Sequence, residues 1–290
     1  MEKNISLILL FAILIGVLAG CSNNTSKSEF NSSKTINVVS REDGSGTRGA
    51  FVELFGIEVK GDDGTKKDTT TKEAIITKQT DVMMTNILED IYGIGYISLG
   101  SLNNTIKAIQ INGVDASVEN VKNGSYSIVR PFNIATRKDT TEITKNFIDF
   151  ILSSEGQDVV SNSYIAITDN ASTYSGDKPS GKIIVAGSSS VTPIMEKLKE
   201  AYIKINPNAT IEIQQSDSSA GMLGVIEGTC DIGMASRQLK DSELVNLIPV
   251  QIALDGIVVI VNNENPIISL TTEQVKAIFT GEIEKWSEIQ

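Results

Sequence analysis

The sequence predicts an α/β fold built on mostly parallel sheet. Short β-branched apolar runs recur along the chain, segments with helical periodicity follow several of them, and the connections between are rich in Gly, Ser and Thr. With 40% apolar and 21% charged residues over 290 positions, there is enough apolar material for a sizeable core, in one large or two medium domains.

In chain order, Ile36-Asn37-Val38-Val39 reads as a strand, followed by a glycine-rich turn and a helix from Gly49 to Phe55. Ile183-Ile184-Val185-Ala186 is a further strand, leading into Gly187-Ser188-Ser189-Ser190. The next helix takes Thr192 as its cap and Pro193 at its first position, where a missing N–H removes no helical bond. Ile194, Met195, Leu198, Ala201, Tyr202 and Ile205 then fall on one face. Ile211-Glu212-Ile213 alternates as a strand, and Ser218-Ser219-Ala220-Gly221 opens another helix. The run from Ile257 to Val261 is a continuous apolar strand, and Thr271 or Thr272 caps a helix through Phe279 that Gly281 closes. Residues 169–181, holding Ser, Gly, Lys, Asp and Pro, read as an internal linker. Trp286 is expected in the core, on a helix ending the chain, and Cys230 as a small buried hydrophobe.

Composition removes whole classes of chemistry. A net charge of −11 argues against a nucleic-acid partner, whose phosphates require clustered Lys and Arg. No histidine is present, so imidazole catalysis and imidazole metal ligation are closed. Cys21 and Cys230 offer neither zinc spacing nor a disulfide framework, and no metal or cofactor is expected.

The first twenty residues read as an address. Lys3 supplies a positive start, and Ile5 to Ala19 is an apolar run too short to span a bilayer of roughly 30 Å. It ends in Leu18-Ala19-Gly20-Cys21, which resembles a bacterial lipoprotein signal, cleaved before the cysteine and acylated on its thiol. Residues 1–20 are then a signal peptide and residues 21–33, rich in Ser and Asn, a flexible tether; an ordinary secretory signal is the alternative. Lipid-anchored attachment to the cell membrane on its extracytoplasmic side follows from the lipoprotein reading.

Three segments share one design of strand, short Ser/Gly/Thr loop and helix start: Ser40 to Arg48, Gly187 to Thr192 and Ser216 to Gly221. Such a loop directs backbone N–H groups and hydroxyls at one spot, with the positive end of a helix dipole behind them, which suits a small, multiply charged oxyanion. One such loop alone is most often a plain helix cap; three in one chain, one carrying an arginine, point to a site. In Ser40-Arg41-Glu42-Asp43-Gly44-Ser45-Gly46-Thr47-Arg48, Arg41 can fork onto two oxygens, and Asp43, two residues on, is expected to hold its guanidinium. Ser45, Gly46 and Thr47 add donors, the glycine allowing close backbone approach. No phosphate-binding Gly-x-x-x-x-Gly-Lys-Ser/Thr loop occurs.

At these residues the chain resembles the PstS family, the phosphate-binding lipoproteins of bacterial phosphate ABC transporters. The matching stretches are Val39 to Phe51, Gly93 to Ser98, Gly187 to Pro193, Ser218 to Gly221, Asp231 to Arg237 and Ala253 to Ile257. The resemblance implies a two-lobed fold of the periplasmic-binding-protein type, each lobe a mostly parallel sheet flanked by helices, with two crossing strands as hinge. It implies a phosphate ligand held by Arg41, Ser45, Gly46 and Thr47 from lobe two and by Ser189, Ser190 and Ser218 from lobe one, with Asp43 supporting Arg41. Ser236 stands where many relatives place an aspartate that accepts the ligand's proton, so selectivity would rest on a hydroxyl or on Asp43. The implied partners are inorganic phosphate and a membrane permease, for a monomeric receptor with no catalytic residue.

The motif order departs from the family. Lys285-Trp286-Ser287-Glu288, which precedes the arginine loop in relatives, ends this chain, so the sequence looks circularly permuted. Lobe two would be split between residues 34–127 and 256–290, lobe one would be continuous over 128–255, and the crossings would lie near Arg130-Pro131 and Asp255-Gly256. A duplicated-gene fragment is the competing explanation. Other classes weighed are a receptor for sulfate, molybdate or arsenate, a structural or adhesive lipoprotein that needs no anion loops, and a phosphohydrolase, for which no base or metal cluster is legible.

Overall fold

In the computed structural model, which describes residues 30–61 and 64–289, the alternation of strands and helices becomes one curled sheet with helices packed on it. The chain runs through β1 (Asn37–Arg41), α1 (Gly46–Leu54), β2 (Glu58–Lys60), β3 (Lys66–Asp68), β4 (Ile75–Thr77), α2 (Thr80–Glu89) and β5 (Gly93–Ser98). The short β6 (Lys107–Ala108) and β7 (Gln110–Ile111), α3 (Val118–Lys122) and β8 (Val129–Thr136) follow. Next come α4 (Glu142–Leu152), α5 (Ser154–Ser161), β9 (Gly181–Ser188), α6 (Thr192–Ile205), β10 (Ala209–Ser216), α7 (Ser218–Glu227) and β11 (Ile232–Ala235). The last elements are α8 (Asp241–Leu244), β12 (Ile248–Val261), β13 (Ser269–Leu270) and α9 (Thr272–Thr280). The leader, Cys21 and the tether as far as residue 29 lie outside the described residues.

The strand order is β10-β9-β11-β8-β12-β5-β1-β4, with β6 beside β12. Both wings are parallel: β9 pairs with β10 and β11, and β1 pairs with β4 and β5. The centre is antiparallel because β8 and β12 run between the wings. Ile248 to Gly256 of β12 pairs with β8, and Ile257 to Val261 pairs with β5. The sequence suggested a strand at Ile257–Val261 alone. It extends upstream because β8 supplies a partner there, although a register shift between Gln251 and Ala253 breaks the alternation that would have announced it. Each wing has its own apolar core. Phe132, Phe147, Phe150, Ile183, Val185, Leu198 and Met234 fill one, and Val39, Met83, Ile87, Ile97, Val258 and Ile260 the other.

Helix boundaries follow their caps. Ser45 accepts from the Arg48 N–H, so α1 starts at Gly46, three residues before the expected Gly49. Thr192 is the first residue of α6 rather than its cap, and its hydroxyl donates to the Ser188 carbonyl. Thr271 and Gln274 form a reciprocal capping box on α9, and left-handed Gly281 ends it. Trp286 is buried, in a short 3-10 turn rather than a helix, and its Nε1 donates to the Tyr92 carbonyl. Cys230 is buried, and that burial pushes its thiol up to about 11.

The two ends of the described chain lie side by side. Thr35 forms an antiparallel bridge with Lys285, Ile36 N donates to the Glu284 carbonyl at 2.8 Å, and Ser287 N donates to the Ser32 carbonyl at 2.8 Å. Residues 169–180 form no helix or strand and lead into β9. That stretch is nonetheless anchored: the Tyr174 ring meets Phe150 edge-on, and Asn206 Nδ2 donates to the Pro179 carbonyl.

Candidate functional site

Arg41 ends β1, and its guanidinium, only 2% exposed, is the charged centre of a buried polar cluster. Nε and Nη2 donate to the two carboxylate oxygens of Glu42, both at 2.9 Å, and Nη2 also reaches the Lys78 carbonyl at 3.1 Å and Ser189 Oγ at 3.2 Å. The strand beneath is held by Tyr96 of β5. Its hydroxyl lies 2.9 Å from Ser40 Oγ and accepts the Arg41 N–H, and its ring stacks on Phe51 at 3.8 Å. Burial raises the Tyr96 pKa, so the phenol stays protonated.

After Arg41 the chain turns into α1, whose first turn carries Ser45, Gly46 and Thr47, all buried. Opposite stand the loops that follow β9 and β10 and the residue after β11. Gly187, at φ 132°, has no room for a Cβ, which would overlap the Met234 backbone, and Gly221 packs directly against it. This close approach brings α7 onto β9 and sets Ser218 beside the Ser188–Ser190 turn. Ser236 Oγ lies 3.0 Å from Ser188 Oγ and 3.4 Å from Ser218 Oγ, and the Ser236 N–H donates to Ser218 Oγ.

The two wings meet through these hydroxyls. Thr47 Oγ1 lies 2.8 Å from Ser190 Oγ and 3.5 Å from Ser236 Oγ. Ser219 N donates to the Gly44 carbonyl at 3.2 Å, and a Cβ on Gly46 would overlap Ser218 Oγ and come within 2.8 Å of Ser236 Oγ. Glycine at position 46 is therefore what permits this approach. The structure brings Arg41, Ser45, Gly46, Thr47, Ser189, Ser190, Ser218 and Ser236 into one buried region.

Asp43 is not part of it. Its side chain is 96% exposed and pairs with Arg48 at 2.8 Å, so the residue holding Arg41 is Glu42. Strand alternation continued past Arg41 would put residues 41 and 43 on one face. β1 ends at Arg41, and the turn that follows swings Glu42 back onto the guanidinium. Arg48 braces this turn by donating to the Arg41 carbonyl at 2.7 Å and to Asp68 at 2.8 Å. Arg237 makes two 2.8 Å bonds to Glu243, and its Nη2 also donates to Ser219 Oγ at 3.2 Å.

Sequence reasoning missed Glu42, Ser188 and Thr80. Ser188 belongs to the Gly187–Thr192 loop, but nothing in that loop's sequence singles it out as a contact, and Thr80 lies in a segment that resembles any helix start. The carboxylates nearest the loops are committed elsewhere: Glu42 to Arg41, Asp43 to Arg48, Asp217 to the Ala220 N–H, and Asp255 to Arg130 and Ser98. Among the described residues no group of three or more potential metal ligands converges. The arrangement presents hydroxyls, helix starts and one guanidinium already neutralised by Glu42, which together can solvate an oxyanion by oriented dipoles.

A family model described as a PBP superfamily domain matches residues 13–155 and 172–290. The phosphate-binding protein PstS 2 of Streptococcus agalactiae serotype V is 52% identical over 292 residues, covering 99% of this chain and 98% of its own. The chain belongs to the PstS family. A second PstS 2, from Streptococcus pneumoniae serotype 4, is 44% identical over 275 residues, 94% of each chain. A crystal structure of a phosphate-binding protein of a phosphate ABC transporter from Streptococcus pneumoniae TIGR4, also 44% identical, aligns with a TM-score of 0.69 over 88% of this chain and 100% of that one. All three loops of the cluster lie within the residues matched by the family model.

Proposed function

We propose that this chain captures inorganic phosphate between two lobes and delivers it to an ABC permease, as a binding protein rather than an enzyme. The observation that carries the reading is the burial of Arg41 among hydroxyls drawn from both wings, with Glu42, Asp43, Asp217 and Asp255 each engaged by another group. Fixed dipoles act locally, while the repulsion from a net charge of −11 is long-range and screened by salt. In this reading lobe two comprises residues 34–127 and 256–290 and lobe one residues 128–255, and closure buries the ion between them.

The pairing of Thr35 with Lys285 and of Ser32 with Ser287 supports a permuted but continuous fold, since chain ends that touch can be joined and reopened elsewhere with little rearrangement. In this reading the N-terminal tether joins lobe two, and acylated Cys21 would hold the receptor to the outer face of the membrane as a monomer. Among the described residues no helix is long and apolar enough to cross a membrane.

Calorimetric titration tests the reading. Protein starting at Ser22, unfolded and refolded to remove bound ion, is titrated with phosphate, sulfate and molybdate, alongside Arg41→Ala. One phosphate per chain, lost in the variant, is expected. Folded protein with no phosphate heat would overturn the assignment, and equal heats for sulfate would redirect it to a general oxyanion receptor.

A further inference from the structure

We propose that Thr80 contacts the bound anion and that its hydroxyl is the gate past which the ion enters and leaves. The inference deepens the phosphate reading and rests on it.

Thr80 is the first residue of α2 and only 5% exposed. Its Oγ1 lies 3.2 Å from Ser189 Oγ and 3.4 Å from Ser190 Oγ, so a second lobe-two hydroxyl, besides that of Thr47, touches the lobe-one loop. A β-branched side chain in a helix has few rotamers, which keeps this hydroxyl in place. The entry to α2 is clamped as well: Arg41 Nη2 donates to the Lys78 carbonyl, and Thr77 Oγ1 donates to the Ser40 carbonyl. The guanidinium that reaches Ser189 therefore also positions the turn carrying Thr80.

A cavity of about 610 Å³ lies on this side, walled by Met84, Leu88, Pro193 and Asn103. Thr80 and Ser189 are the cluster residues that line it, so an ion arriving through the cavity meets their two hydroxyls before Arg41. Asp81 also lines the cavity and places a carboxylate on the approach. Retention against that charge depends on the inner donors, of which Thr80 is the outermost from lobe two.

The test uses the chain from Ser22 with Thr80→Val, Thr80→Ser and Thr85→Val, the last changing a cavity-lining residue of α2 outside the cluster. Phosphate Kd is measured by calorimetry, release by rapid filtration of radiolabelled phosphate, and folding by thermal unfolding without phosphate. Loss of one hydrogen bond to a charged ligand is expected to weaken binding about tenfold in Thr80→Val, mostly through faster release. Thr80→Ser is expected to recover binding to within about twofold, with Thr85→Val unchanged. Wild-type Kd and release rate in a folded Thr80→Val protein would overturn the proposal, and failure of Thr80→Ser to recover binding would do the same. If Thr80→Val does not fold, Thr80→Ala carries the same comparison. A wild-type chain that binds no phosphate would instead refute the underlying reading.

Discussion

Removing both partners of the Arg130–Asp255 pair is expected to destabilise the protein by clearly less than the sum of the two single removals. The two residues face each other in register where β8 and β12 cross, with side chains 1% and 0% exposed. Arg130 Nε and Nη2 lie 3.2 and 3.1 Å from Asp255 Oδ2, Arg130 Nη1 donates to the Ser236 carbonyl at 3.1 Å, and Ser98 Oγ donates to Asp255 Oδ1 at 2.8 Å. Burial pushes the Asp255 carboxyl up and the Arg130 guanidinium down, and their mutual attraction opposes both shifts. Asp255→Leu leaves a buried cation and Arg130→Met a buried anion, each costing about 3–5 kcal/mol. At about 2–4 °C per kcal/mol for a unit of this size, Tm should fall by roughly 6–20 °C. The double variant removes both charges and leaves the Ser236 carbonyl and Ser98 hydroxyl short of a partner, at about 1–3 kcal/mol each. Urea unfolding of all four proteins at pH 7, with m unchanged, gives the coupling energy. Singles that each cost under about 1 kcal/mol, or a double equal to their sum, would refute the reasoning.

Three further outcomes follow from the geometry. Glu42→Gln should lower stability by about 2 kcal/mol because the buried guanidinium loses its counter-charge, whereas Asp43→Asn, on a 96% exposed side chain, should stay within about 0.5 kcal/mol by thermal unfolding. Gly46→Ala should keep the fold yet weaken phosphate binding in calorimetry, because the added Cβ meets Ser218 and Ser236 across the cleft and resists closure. Burial disfavours the charged form of Asp68, but hydrogen bonds from Thr70 and Arg48 outweigh it and hold the carboxyl below its usual range. Its stabilising contribution is therefore present above the ordinary carboxylate pKa of about 4 and lost as pH falls through the lowered value. Asp68→Asn should flatten the acid limb of a Tm-against-pH curve, and an unchanged limb would count against this.

The legibility of the site varied residue by residue. Ser45, Ser189 and Ser218 could be picked out because a Ser/Gly turn between a strand and a helix is a local pattern with a local cause, the unsatisfied N–H groups of the helix start. Glu42 could not, because alternation along β1 points to residue 43, and the strand stops one residue too soon for that rule to hold. Thr80 gave no signal beyond an ordinary helix start. It reaches Ser189, 109 residues away, through the lateral placement of β4 beside β1 and the turn into α2. The full length of β12 was hidden by its irregular register against β8.

The sequence by itself determined the α/β class, the caps of α9, the anion-suited loops and the arginine at their centre, since periodicity, capping and charge act over a few residues. Only the tertiary structure decided which loops meet, which carboxylate holds Arg41, and that Arg130 finds Asp255 across 125 residues of chain. Those pairings depend on strand order and on the crossing of β8 and β12, which arise from packing the whole sheet and leave no mark in any short window of sequence.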